Sequence, residues 1–141
     1  LEAERAEEVT IDADFTNKRF GRIDQSIAMG ALFTAFHLGC KAILALTESG
    51  STALWMSRYR SHTPIFGLTS QPVTQRRMAL YRNVRPLLMP NFGDRDQALA
   101  AAEKILVDRG VLKPGDTYAI TCGEPMGYPG GTNMLKVCRV G

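Results

Sequence analysis

Few residues of this sequence could ligate a metal ion or act as a catalytic nucleophile. Its 141 residues include three cysteines (Cys40, Cys122 and Cys138) and two histidines (His37 and His62), and no two cysteines form a Cys-x-x-Cys pair. Neither histidine has cysteine or carboxylate neighbours at metal-ligand spacing, so we predict no metal site and three buried, reduced thiols. No Gly-x-Ser-x-Gly motif occurs and no cysteine precedes an arginine by six positions, which excludes the usual hydrolase and cysteine-phosphatase loops.

The sequence also lacks long apolar runs and a strong charge of either sign. No run approaches the roughly 20 apolar residues that a membrane span needs. The 17 basic and 14 acidic side chains leave a net charge of +3, and the basic residues are scattered, so we expect neither a membrane nor a nucleic acid as a partner. With 45% hydrophobic residues, the composition is typical of a globular domain, and the sparse cysteines favour a cytoplasmic location.

Residues 1–21 are predicted to form an arm or linker, and residues 22–141 a single domain. The first eight residues are acidic and helix-forming, unlike a signal or transit peptide. The stretch that follows, to residue 21, has no sustained hydrophobic periodicity. Because the chain begins within a charged helical pattern, we expect a further domain to precede it.

Helical and strand-like segments alternate through the rest of the chain. We predict strands over 42–46, 65–68, 84–89, 118–122 and 135–140, and helices over 24–39, 51–59, 73–81 and from Asp94 or Asp96 to 109. The link between the last two strands is too short for a helical crossover, so these strands pair antiparallel. The order predicts a three-layer α/β/α sandwich, with a mixed, mostly parallel sheet of about five strands and an antiparallel edge strand.

The first predicted helix has recognisable start and stop residues. Asp24 can accept hydrogen bonds from the free amides of the first turn, and Gly39 suits the end of the helix. Its apolar face is expected to include Ile27, Leu32 and Phe36 with the small residues Ala28, Ala31 and Ala35.

The richest cluster of anion-binding groups lies between a predicted buried strand and a helix. We call residues 47–52 the cup; they are Thr47, Glu48, Ser49, Gly50, Ser51 and Thr52. A helix start offers free amides and a positive dipole end, Gly50 permits a sharp turn, and the hydroxyls add donors. The pattern favours a phosphate site, although Ser51 or Thr52 as a plain helix cap explains it equally well. Glu48 would repel a phosphate unless its carboxylate points away or pairs with an arginine.

Two further features are candidates for ligand contact. A Gly- and Pro-rich loop from Gly123 to Asn133 could cover a ligand or simply connect two strands, and it is longer than most hairpin loops. Six arginines could cap helices, or one or two of them could meet a phosphate or a partner subunit; they are Arg58, Arg60, Arg76, Arg77, Arg82 and Arg85.

Several short motifs together resemble the C-terminal α/β domain of pyruvate kinase. They are Ile43-Leu-Ala-Leu-Thr-Glu-Ser-Gly-Ser-Thr52, Ser57-Arg-Tyr-Arg60, Leu80-Tyr-Arg82, Lys113-Pro-Gly-Asp116 and Gly130-Gly-Thr-Asn133. Each motif is weak alone, but they occur in order and with the expected spacing from about Asp24 to Val140.

The resemblance implies a role within a larger enzyme. Pyruvate kinase transfers a phosphoryl group from phosphoenolpyruvate to ADP in glycolysis, with Mg²⁺ and usually K⁺, in a barrel and cap domain that this chain lacks. The domain would itself be non-catalytic, hold no cofactor, bind a phosphorylated effector and join subunits of a homotetramer. By resemblance, Thr47, Ser49, Gly50 and Thr52 match positions that grip the effector phosphate. The segment that we call the flap covers it; its residues are Gly127, Tyr128, Pro129, Gly130, Gly131 and Thr132.

Two departures from the family pattern bear on the effector. Animal members that respond to fructose 1,6-bisphosphate carry lysine at the position of Glu48 and an arginine at about Ala98. We therefore expect a sugar monophosphate or AMP rather than a bisphosphate. Two other classes remain open: a stand-alone module that binds an anion or a partner protein, and a small enzyme with Glu48 as its general base.

Overall fold

A computed structural model of the chain describes residues 22–124, 126 and 128–141. The predicted arm, residues 1–21, lies outside the described residues, as does Gly127 of the flap. The helices are α1 (Ile23–Leu38), α2 (Ser51–Ser57), α3 (Pro72–Met78) and α4 (Arg95–Asp108). The strands are β1 (Ile43–Leu46), β2 (Ile65–Thr69), β3 (Val84–Leu88), β4 (Thr117–Gly123) and β5 (Thr132–Arg139).

The five strands form one sheet in the order β3-β2-β1-β4-β5. Strands β1 to β4 run parallel, and β5 pairs antiparallel with β4 at one edge. All four residues of β1 are buried because their side chains alternate between two cores. Ile43 and Ala45 pack with residues of α1, α2 and α3, whereas Leu44 and Leu46 pack with residues of α4. The predicted three-layer sandwich with an antiparallel edge strand is confirmed.

Several predicted boundaries are wrong by two or three residues. Helix α2 ends at Ser57 and α3 ends at Met78, because the residues that follow form tight turns rather than further helix. Strand β5 begins at Thr132, since pairing with β4 extends to Gly123 opposite Thr132. The connection between these two strands is therefore shorter than the sequence indicates.

Helix α1 differs from its predicted form at its first residue and at Phe36. The N-cap is Arg22, in an extended conformation, and Asp24 lies inside the first turn, where its carboxylate accepts from the Gln25 amide as predicted. The buried face runs through the predicted residues Ala28, Ala31, Leu32 and Ala35, whose mostly small side chains allow close approach to the sheet. Phe36 lies outside this stripe and is 57% exposed.

The thiols are all free, as predicted, but they differ in burial. Cys40 and Cys122 are buried, and burial raises the pKa of both thiols. Cys138 on the edge strand is only half-buried. The expectation of three buried cysteines is therefore wrong at Cys138, because β5 has a neighbouring strand on one side only.

Candidate functional site

The cup lies at the carboxyl end of β1, in the turn that leads into α2. Gly50 is the N-cap of α2 and has a positive φ of 83°, which glycine adopts without steric cost. Its amide donates to Thr47 Oγ1 at 2.9 Å. The N-cap is Gly50 and the Ser51 amide donates to Ser49 Oγ at 3.2 Å, so the alternative that Ser51 or Thr52 acts as a cap is wrong. Among the described residues, nothing accepts a hydrogen bond from the amides of Thr52 and Ala53.

The hydroxyl groups of the cup form a network with two other segments. Ser51 Oγ donates to Asp24 Oδ2 of α1 at 2.7 Å, and Ser49 Oγ donates to Ser51 Oγ at 3.2 Å. Thr52 Oγ1 donates to Thr132 Oγ1 of β5 at 2.8 Å, in a buried contact. The Gly50 and Ser51 amides also donate within the cup, to Thr47 Oγ1 and Ser49 Oγ, so an anion would have to displace these internal bonds before the amides and serine hydroxyls could donate to it.

Glu48 is bound to the segment before α3. Its carboxylate accepts hydrogen bonds from Ser70 Oγ at 2.7 Å, the Ser70 amide at 3.4 Å and Gln71 Nε2 at 3.2 Å. Its carbonyl accepts from Thr74 Oγ1 at 2.7 Å. These contacts place the negative charge near the start of α3, where the helix dipole favours it. Glu48 nonetheless lines the cleft that the cup shares with the flap.

The cup and the described part of the flap enclose a small cleft. The space in it that is open to the centre of a water molecule is about 30 Å³. The cleft is lined by Leu46, Thr47, Glu48, Asn91, Gly123, Met126, Tyr128, Gly130, Gly131 and Thr132. Thr47 and Glu48 are the cup residues among them, so a ligand in the cleft would meet the first two residues of the cup together with the flap.

The base of the flap is held by side chains around Glu124. The Asn133 side chain donates to the Glu124 carbonyl and accepts from the Glu124 amide, both at 2.9 Å. Arg95 at the start of α4 lies 3.3 Å from the Glu124 carboxylate. The flap thus has a fixed base beside α4, and its tip residue Gly130 adopts a positive φ of 70°.

Two residues that our sequence analysis did not assign to the site lie against the cup. Asp24 is 1% exposed and accepts from Ser51, and Arg22 donates to Asp24 Oδ2 at 2.9 Å. Arg22 is the N-cap of α1 and Asp24 lies in its first turn, 29 and 27 positions before Ser51. The sequence indicates Asp24 as a residue at the start of a helix, but its contact with the cup depends on how α1 packs against α2.

Of the six candidate arginines, three have contacts outside the cup, with aromatic rings or with a backbone carbonyl group. The Arg58 guanidinium stacks 4.6 Å from the centre of the Trp55 ring, and that of Arg85 lies 5.7 Å from the centre of the Phe66 ring. Arg82 donates to the Ser57 carbonyl. Arg77 reaches the cup, where it donates to the Ser49 carbonyl at 3.1 Å.

A larger groove, of about 560 Å³, opens between α4 and β5. Charges of both signs line it, including Asp96, Glu103 and Lys136. Tyr118 Oη donates to Glu103 Oε1 at 2.6 Å, and burial together with this bond raises the pKa of Tyr118 far above its ordinary value. The groove is therefore the main alternative place for a small molecule on the described part of the chain.

The buried hydrogen bond between Thr52 and Thr132 should contribute measurably to the stability of the domain. Thr52→Val leaves Thr132 Oγ1 buried without its partner, which should lower the free energy of unfolding by about 1–3 kcal/mol. The double variant Thr52→Val/Thr132→Val should cost less than the sum of the two single variants, with a coupling of about 1 kcal/mol. Urea unfolding of the four proteins measures this, and strictly additive effects would show that the two hydroxyls do not interact.

Comparison with known proteins identifies the domain. A family model described as pyruvate kinase, alpha/beta domain, matches residues 25–138. The chain belongs to this family. It is 38% identical over 142 residues to a pyruvate kinase of Buchnera aphidicola subsp. Baizongia pistaciae, covering 98% of this chain and 29% of that protein.

Other relatives show the same relationship of part to whole. The chain is 36% identical to pyruvate kinase II of Salmonella typhimurium, over 99% of its own length and 29% of that protein. It is 38% identical to a pyruvate kinase of Staphylococcus aureus, over 82% of its length and 20% of that protein. The chain thus spans less than a third of these relatives, and the predicted membership of the pyruvate kinase C-terminal domain family is confirmed.

No helix of the residues that the structure describes is long and apolar enough to cross a membrane. Within the same residues, no three histidine, cysteine, aspartate or glutamate side chains cluster in a way that could hold a metal ion.

Proposed function

We propose that this chain is the effector-binding and assembly domain of a pyruvate kinase. In that enzyme, phosphoenolpyruvate and ADP are converted to pyruvate and ATP as a step of glycolysis in the cytoplasm. The catalytic groups, Mg²⁺ and K⁺ belong to other domains, and the chain alone has no kinase activity. The full enzyme assembles as a homotetramer, to which this domain contributes one interface. Family membership and the match to under a third of each relative support this division of roles.

One observation carries the binding part of the proposal. The first-turn amides of α2 at Thr52 and Ala53 have no acceptor among the described residues although both residues are fully buried, and Thr52 contacts Thr132, which lines the cleft beside the glycine-rich flap. Such amides favour a phosphate group through direct hydrogen bonds and the helix dipole. The position also suits a ligand because β1 ends there, at the carboxyl edge of the parallel strands.

Ligand binding would act through the flap. The flap is joined to the cup by the Thr52–Thr132 hydrogen bond, so a change at the cup reaches the flap through this contact. An effector that binds one flap arrangement more tightly shifts the population of domain arrangements by that difference in affinity.

The charges around the cleft favour a singly phosphorylated ligand. Glu48 and Asp24 bring two negative charges to the cup, and Arg22 and Arg77 bring two positive charges. A second phosphate would add negative charge to a site without a net positive surplus, so a sugar monophosphate or AMP fits better than fructose 1,6-bisphosphate. A stand-alone module that binds an anion or a partner protein is the alternative, and the same amides would serve it.

A thermal-shift panel tests the proposal. Glucose 6-phosphate, ribose 5-phosphate, AMP and fructose 1,6-bisphosphate are compared with glucose and adenosine. A monophosphate at about 100 times its dissociation constant should stabilise the chain by about 2.7 kcal/mol, which is several degrees for a domain of this size. No rise with any phosphorylated compound would contradict effector binding, and formation of pyruvate from phosphoenolpyruvate and ADP by the chain would contradict its non-catalytic role.

A further inference from the structure

An arginine and a buried carboxylate lie beside the cup at the start of α1. Asp24 is 1% exposed, and its Oδ2 atom accepts from Ser51 Oγ at 2.7 Å and from Arg22 Nη2 at 2.9 Å. Its other oxygen accepts from the Gln25 amide at 2.9 Å. A buried carboxylate is costly unless it is paired and hydrogen-bonded. Asp24 is both, so its position is well defined, and it fixes Arg22 and Ser51 relative to each other.

Arg22 retains the capacity to bind an anion. A guanidinium carries five N–H donors, and in the described part of the chain its side chain donates to Asp24 alone. The Arg22 side chain is 54% exposed. Its Nη2 atom also lies against the flap, since a Cβ added to Gly130 would be 3.1 Å from it. The guanidinium therefore sits where cup and flap meet.

We propose that Arg22 is the cation that binds the effector phosphate, and that Asp24 is the residue that positions it. This inference rests on the proposed function of the cup. The ligand class is a phosphate monoester, held by the Arg22 guanidinium where the cup and the flap meet. Planar, charge-assisted hydrogen bonds from arginine suit a phosphate.

Arg77 is the competing candidate, and its position argues against it. Arg77 belongs to α3, which packs over β2 and β3. It donates to the Ser49 carbonyl from that side. The flap follows β4, which lies on the opposite side of β1. Arg22 thus faces the flap side of the cup, whereas Arg77 approaches from the side of Glu48.

Calorimetric titration of the 141-residue chain with glucose 6-phosphate and with inorganic phosphate tests the assignment. Arg22→Gln should weaken binding of both probes about tenfold, and Arg22→Lys about threefold, because one charge-assisted contact is lost or loosened. Arg77→Gln tests the competing cation and should weaken binding less than Arg22→Gln does. Arg85→Gln, on the edge strand β3, is the control and should leave the affinity unchanged. Thermal unfolding of each variant checks that the fold is retained.

Asp24→Asn separates positioning from simple charge repulsion. If Asp24 only repels the phosphate, removing its charge strengthens binding. If Asp24 positions Arg22, Asp24→Asn weakens phosphate binding about threefold despite the lost repulsion. The double variant Asp24→Asn/Arg22→Gln should then bind phosphate no more weakly than Arg22→Gln alone.

The possible failures are distinguishable. Binding by the unsubstituted chain with unchanged affinity in Arg22→Gln overturns the role of Arg22 and leaves the cup in place. Stronger binding by Asp24→Asn overturns the positioning role. Failure of the unsubstituted chain to bind either probe overturns the proposed function together with this inference.

Discussion

Replacing Gly50 by alanine should destabilise the domain by about 2–4 kcal/mol and abolish most phosphate binding. A residue with a Cβ at a φ of 83° costs about 1–2 kcal/mol. The added Cβ would also lie 3.3 Å from Thr74 Cγ2 and 3.4 Å from Met78 Cγ, which adds overpacking in a buried region. Because this turn aims the α2 amides, the affinity for glucose 6-phosphate should fall about tenfold or more.

Gly39→Ala is the matched control for this prediction. Gly39 has a φ of 62° at the end of α1, and nothing lies within 4 Å of an added Cβ. The Gly39→Ala variant should therefore lose only the free energy of unfolding that corresponds to the backbone strain, about 1–2 kcal/mol, and its phosphate affinity should be unchanged. Urea unfolding and calorimetry on both variants make the comparison. Equal losses of stability, or equal effects on binding, would show that Gly50 has no special role in the cup.

Glu48→Lys should strengthen the binding of fructose 1,6-bisphosphate at least about tenfold. Two unit charges about 4 Å apart interact by about 4 kcal/mol at an effective dielectric constant near 20, so exchanging a carboxylate for an ammonium at the cleft wall has a large effect. The same change removes the three hydrogen bonds to Ser70 and Gln71, and should lower the free energy of unfolding by about 1–2 kcal/mol.

Glu48→Gln isolates the contribution of the negative charge. The amide oxygen of the new glutamine can still accept a hydrogen bond from Ser70, so the free energy of unfolding should change little. The change in the logarithm of the fructose 1,6-bisphosphate affinity should be roughly half of that in Glu48→Lys, because the charge changes by one unit rather than two. Calorimetry of both variants with fructose 1,6-bisphosphate and glucose 6-phosphate gives the comparison. Unchanged bisphosphate affinity in Glu48→Lys would mean that residue 48 is too far from the ligand to influence it.

The layer order of this fold follows from local patterns in the sequence. The short apolar run 42–46 indicated a strand buried on both faces, and the short link before the last strand required an antiparallel edge. Both are local properties, which a single sequence displays. The helix ends at Ser57 and Met78 depend instead on which turn follows, and propensity determines such ends poorly.

The cup was predicted as a segment, but not the partners of its side chains. The strand–glycine–helix pattern located residues 47–52, because glycine and hydroxyl residues at a helix start have a local meaning. The contacts of Ser51 with Asp24 and of Thr52 with Thr132 join residues 27 and 80 positions apart. No local pattern encodes such separations. Asp24 could therefore be seen as a helix-start residue but not as a neighbour of the cup.

The orientation of Glu48 illustrates the same limit. Sequence analysis showed that its carboxylate must point away from a bound phosphate or pair with a cation. The structure places it against Ser70 and Gln71, the residues that precede α3. That contact exists because β1 and β2 are parallel neighbours, so the segments that follow them emerge side by side.

Amide chemical shifts during titration with glucose 6-phosphate show directly whether the cup and the flap bind a phosphate ester. We predict saturable shifts at Thr52 of the cup, at Ala53 beside it and at Gly130 and Thr132 of the flap, with glucose leaving all four unchanged. Shifts confined to the groove residues Tyr118 and Cys138, or none at the cup up to millimolar ligand, would contradict it.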